Sequence, residues 1–116
     1  MPTIYRSVSL AASGSTGANV PNTFSGDQFE FMRANGAFSC AVAAAATGTF
    51  TQLSAGSDLI AAEFPTPVIA SPGLLLVPDH FYFDGVALTG DRLVCAARNT
   101  TTGAIVHTSI AKIAYQ

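Results

Sequence analysis

A chain of 116 residues is about the size of one domain, large enough to bury a single core without metals or disulfides as staples. Charged residues make up 10% of it, against roughly 25% in an average soluble domain, and the formal net charge is -2. That balance argues against a nucleic-acid binder, which needs clustered cations to displace counterions from phosphates, and no run of about 18 apolar residues is present to span a membrane as a helix.

The N-terminal stretch MPTIYRSVSLAASGSTG has one Arg and only a short apolar run around Val8 to Ala12, too little for a secretion signal, and it reads as mature sequence. A strand is expected over 3–11, and residues 1–19 as a whole read as an extended arm or edge strand. Gly14-Ser15-Thr16-Gly17 has the composition of a phosphate-cradling loop but not its Gly-Lys-Ser/Thr ending, so it is turn material. In QFEFMR, strand alternation over 27–34 puts Phe29 and Phe31 on one face and Gln28 and Glu30 on the other. Asn35-Gly36 then predicts a type I′ turn, whose central residues both need positive φ. The run AFSCAVAAAA holds good helix formers, but it is short and ends at Thr47-Gly48-Thr49. With Phe38, Cys40 and Val42 alternating on one side, it reads as a strand over 37–45.

Further strands are expected at 49–54, 58–63, 67–70 and 73–77, the last two among prolines that remove ladder donors. A strand is expected near 80–88, with Phe81 and Phe83 facing the core, and Asp84-Gly85 reads as an Asp-Gly turn at its polar edge. The final pair, 91–98 and 104–115, flanks Asn99-Thr100-Thr101-Thr102-Gly103 and reads as a β-hairpin. Short runs of Val, Ile, Phe, Thr and Leu punctuated by Gly, Pro, Asn and Asp predict an all-β antiparallel sandwich of about 8 to 10 strands, jelly-roll-like, in one domain over 1–116.

Cys40 and Cys95 lie in apolar runs and read as small buried hydrophobes; a bridge would require the two runs to be close neighbours in an oxidising compartment. No C-x-x-C supports a zinc site. The best catalytic or metal candidate is Asp79, His80 and Asp84 with His107 at a distance, and a polar strand edge explains these residues better. His107 stands among apolar and hydroxyl residues, as a hydrogen-bonded structural histidine does. No G-x-S-x-G supplies a nucleophile elbow, and nothing brings Glu30, Glu63, Asp58 or Asp91 together for sugar hydrolysis, so they read as solvated charges or partners of arginines. Asn99-Thr100-Thr101 is formally a glycosylation acceptor and needs no sugar to make sense as a turn. No enzyme activity and no cofactor are expected.

The terminal hairpin has two half-apolar faces. Leu93, Cys95 and Ala97 are expected inside, while Val94 and Ala96 lie outside between Arg92 and Arg98. The expected subunit interface comprises Arg92, Val94, Ala96, Arg98, Ile105, His107, Lys112 and Tyr115, with Arg92, Arg98 and Lys112 setting register at its rim. Four arginines against one lysine suit planar pairing across an interface.

The run TFSGDQFEFMRANGAFSCAV, then TFTQLSAGSDL, then FYFDGVALTGDRLVCAARNTTTGAIVHTSI resembles small β-sandwich or jelly-roll proteins of bacteriophage virions, over residues 20 to 113. The Ala-rich segment 41–46 and the Pro-rich segment 64–72 depart from the pattern. The resemblance implies a capsid, vertex or decoration protein that assembles in the host cytoplasm with copies of itself and other virion proteins, without cofactors. The alternative is a carbohydrate- or receptor-binding sandwich of a tail, spike or cell surface, using Tyr5, Tyr82 or Tyr115 as exposed aromatics.

Overall fold

The computed structural model describes residues 3–69 and 83–115, and these form eight strands: β1 (Thr3–Leu10), β2 (Asn19–Val20), β3 (Gly36–Ala44), β4 (Thr49–Ala55), β5 (Asp58–Pro65), β6 (Phe83–Ala87), β7 (Leu93–Asn99) and β8 (Ile105–Tyr115). They make two four-stranded antiparallel sheets, ordered β1-β8-β3-β6 and β2-β7-β4-β5. Strand 1 pairs with 8, 2 with 7, 3 with 6 and 4 with 5. This order is that of a jelly roll, in which a long folded-back ribbon wraps into two facing sheets.

The sandwich follows from alternation. Along β7 every second residue, Leu93, Cys95, Ala97 and Asn99, is buried. Along β4 the buried set is Thr49, Thr51, Leu53 and Ala55. Of these, Leu53, Ala55, Leu93 and Cys95 meet Phe38, Cys40 and Val42 of β3 and Ala111 and Ile113 of β8 in one core that also holds Ile4, Phe24 and Met32. At the β5/β6 side the rings of Phe64 and Phe83 bridge the sheets with centroids 4.7 Å apart. Both cysteines are buried free thiols, Cys40 from the first sheet and Cys95 from the second. Burial pushes both thiols up, Cys95 to about 11 despite hydrogen bonds with Thr23 and Ser109.

One region of the interior is polar. Thr51 Oγ1 lies 3.0 Å from His107 Nε2 and 2.7 Å from Thr66 Oγ1, linking the two sheets through a fully buried imidazole. Beside it the hydroxyls of Thr23 and Ser109 are 3.0 Å apart. Desolvation drives the His107 pKa down from 6.5 to about 4, so the ring is neutral at physiological pH. The expected structural histidine is thus found inside the chain.

Three local expectations are corrected. Residues 27–34 are not a strand: the loop folds through successive tight turns, Ser25 N–H to Asn22 O, Asp27 N–H to Phe24 O and Glu30 N–H to Asp27 O. Glu30 is buried and Phe31 is 55% exposed, the reverse of the amphipathic reading. The reason is polar closure along the stretch of β7 that the two-residue β2 leaves uncovered. Asn22 Oδ1 accepts the Cys95 N–H, and its Nδ2 donates to Leu93 O and to the Glu30 carboxylate. Glu30 also accepts the Gly26 N–H and the Arg92 guanidinium. Burial acts to raise its carboxyl pKa, but the Arg92 hydrogen bond and the other donors outweigh it and hold it low.

Asn35-Gly36 is not a type I′ turn, because neither residue has positive φ and Gly36 already begins β3. Asp84-Gly85 likewise makes no turn: both residues are extended within β6, inside the expected strand. Gly85 is needed there for close approach, since a Cβ would stand 2.6 Å from Phe38 Cζ. The real hairpin turn is β4–β5, where Gly56 takes φ of +59°.

The terminal pair is the largest correction. β7 belongs to one sheet and β8 to the other, so the Asn99–Gly103 bend crosses the sandwich instead of closing a hairpin. Asn99 holds the crossing: its Nδ2 donates to the carbonyls of Leu10, Ala11 and Gly103, and its Oδ1 accepts the Thr101 N–H. On the outer side of β3 and β8, Ala41, Ala43 and Ile110 pack with Ile69, carried there by a bridge between Ala44 and Val68. The chain itself therefore covers part of β8's second face. The expected strand at 67–70 is represented by this bridge, while 73–77, Asp79, His80 and Tyr82 lie outside the described residues.

Candidate binding groove on the second sheet

On the outer face of the sheet β2-β7-β4-β5, the register sets Asn19 opposite Arg98, Arg98 opposite Phe50 and Phe50 opposite Pro65. The adjoining row pairs Ala96 with Gln52, and the next pairs Val94 with Ser54 and Ser54 with Leu59. Because β4 turns Thr49, Thr51 and Leu53 inward, Phe50 and Gln52 necessarily face out.

Arg98 is fixed from two directions. Its Nε and Nη2 each donate to Glu63 of β5 at 2.7 Å, a bidentate pair, and its guanidinium lies over the Phe50 ring at 4.7 Å. The Arg98 hydrogen bond holds the Glu63 carboxyl below the usual carboxylate range, and Glu63 in turn raises Arg98. Both partners are about two-fifths exposed, so the pair orders side chains more than it adds stability. Beside it opens a groove of about 160 Å³. Ala96 and Ala97 lie at its base, Val20, Pro21 and Phe50 make apolar walls, and Asn19, Gln52, Glu63 and Arg98 supply polar groups.

Of the expected interface residues, Val94, Ala96 and Arg98 do share this outer face, half-buried. Arg92 sits at the far end of β7, paired with Glu30 and 5.9 Å from the centroid of Phe31. Ile105 and His107 are buried inside the sandwich and cannot belong to a surface. Lys112 lies on the first sheet, opposite Thr3 and Ser39, and Tyr115 packs against the core beside Gly36. The eight residues therefore divide between two sheets and the interior, because β7 and β8 are not neighbours.

The other candidates also separate. Asp84 accepts a hydrogen bond from Ser39 at 2.7 Å on the exposed face of β6, remote in role from buried His107. Among the described residues no group of three His, Cys, Asp or Glu could hold a metal. Glu30 and Glu63 are partners of Arg92 and Arg98, as expected of structural carboxylates. Of the described tyrosines, Tyr5 is 49% exposed on β1 while Tyr115 is partly buried against the core. Sequence reasoning passed over Phe50 and Gln52; the signal was the TFTQL alternation, in which the threonines had to be recognised as the inward set. No family model, curated protein or solved structure matches the chain.

Proposed function

We propose that the chain is a structural subunit of a bacteriophage virion, a small capsid or capsid-associated protein that acts by packing against copies of itself and other virion proteins. The observation that supports this reading is an apolar seam where the two sheets end side by side. β6 and β5 are the outermost strands of their sheets. Ile60 Cδ1 reaches within 3.1 Å of where a Cβ on Gly85 would stand, so the strands meet there. Their neighbours Leu59 and Val86 turn away from the core, each onto the outer face of its own sheet, and are 55% and 63% exposed. Among the described residues nothing pairs with the outer edges of β5 and β6, and edges flanked by large apolar side chains invite pairing with another chain, which closed assembly covers in an orderly way.

The jelly-roll order is shared by capsid proteins and lectins, so fold alone does not choose between them. Scarce charge and the seam favour assembly. Light scattering across a concentration series tests this: self-association is expected, and Val86→Asp should reduce it without lowering the thermal midpoint. A stable monomer at high micromolar concentration would overturn the reading.

A further inference from the structure

We propose that the groove over Ala96 is a binding site for one neutral sugar ring, read by Glu63 and Arg98 with Gln52 and Asn19 at its rim. The ion pair engages two of the five guanidinium donors, at Nε and Nη2, and one contact on each carboxylate oxygen. Three N–H donors and the further carboxylate lone pairs are thus left over within one bidentate pair. A vicinal diol matches that arrangement, with one hydroxyl donating to the carboxylate while its neighbour accepts from the guanidinium.

The pair sums to zero charge, so the groove offers a phosphate no excess of positive charge and an ammonium group no excess of negative charge. The exposed amides of Gln52 and Asn19 add donors and acceptors that are indifferent to charge. Below them Ala96, Val20 and Pro21 give an apolar surface suited to the C–H face of a ring. Phe50 keeps the guanidinium in place rather than presenting its own covered face to the ligand. The groove is small beside the clefts of about 300–1,000 Å³ that hold drug-sized ligands, which limits the occupant to one ring. The groove shares the outer face of β7 and β5 with Val94 and Leu59, and the test separates it from the assembly reading by following sugar-dependent shifts at fixed protein concentration.

The test uses the full chain labelled with ¹⁵N and titrated with neutral pyranoses, glucose, galactose, mannose and N-acetylglucosamine, to concentrations on the order of 50 mM, well above a millimolar dissociation constant. At least one sugar should give saturable shifts at the amides of residues 19–20, 50–52 and 96–98. Those shifts should vanish in Ala96→Leu, which fills the base of the groove, and weaken in Gln52→Ala, an exposed position that spares the fold. Absence of shifts with every sugar would overturn the proposal, as would equal shifts in Gln52→Ala and wild type. Stronger shifts with inorganic phosphate would overturn the neutral-ligand assignment. Groove shifts that appear on raising protein concentration alone would instead make the groove an interface between copies.

Discussion

Protonating His107 should unfasten the sandwich. The imidazole is fully buried, and its pKa falls from 6.5 to about 4 because the charged form loses its hydration. A folded pKa below the unfolded one means that the unfolded chain binds the proton more tightly. Stability is therefore fully present above about pH 6.5 and declines as pH falls toward the folded pKa. At about 1.4 kcal/mol per pKa unit, the whole shift is worth about 3 kcal/mol. Roughly 2 kcal/mol of that is lost between about pH 7.5 and pH 5. Urea unfolding at those two pH values should show the midpoint falling by roughly 1 M, for a slope of about 2 kcal/mol per molar. The window lies above ordinary carboxylate titration, and the low pKa of Glu30 places its own contribution lower still. His107→Gln should flatten the dependence. A wild-type His107 resonance titrating near 6.5 by NMR, or a Gln variant retaining the full slope, would refute the reasoning.

Asn99→Ala should cost about 2 kcal/mol in thermal or urea unfolding, since the buried Asn99 side chain is lost together with its bonds to the buried Leu10 carbonyl and the part-buried Ala11 and Gly103 carbonyls. Gly85→Val should destabilise by about 1–3 kcal/mol, because the new side chain meets Phe38; calorimetry showing no change would mean that Phe38 has room to move. Val94→Asp, half-buried on the outer face beside the Ser54–Leu59 row, should lower self-association measured by light scattering while changing unfolding free energy by no more than about 0.5 kcal/mol. Equal loss of folding and association would remove Val94 from the interface.

The arrangement of polar groups explains where reading the sequence succeeds and where it fails. Leu93, Cys95 and Ala97 are inward as their spacing requires, and β3 is a strand despite its alanines, because small side chains let Ile69 and Ile110 close over Ala41 and Ala43. At 27–34 the same counting misleads. An Asn and a Glu eight residues apart satisfy the edge of β7, and that gain in hydrogen bonding outweighs burial of Phe31. Likewise Thr49 and Thr51 look like solvent-facing residues until His107, 56 positions from Thr51, arrives from the opposite sheet to share the interior.

The sequence by itself determines that this is an all-β domain with little charge, the inward face of β7, the strand nature of β3 and the burial of both cysteines. These properties depend on period-two alternation and on residue chemistry, which are local. Which strands pair, that β7 and β8 face one another across a core instead of lying side by side, and that Glu63, Arg98, Phe50 and Gln52 meet around one groove are decided only in the tertiary structure. Alternation says which side of a strand is buried but carries no record of its neighbour. The neighbour is selected by the packing of whole sheets and by polar closures such as those of Asn22 and Asn99, made between residues 71 to 89 positions apart.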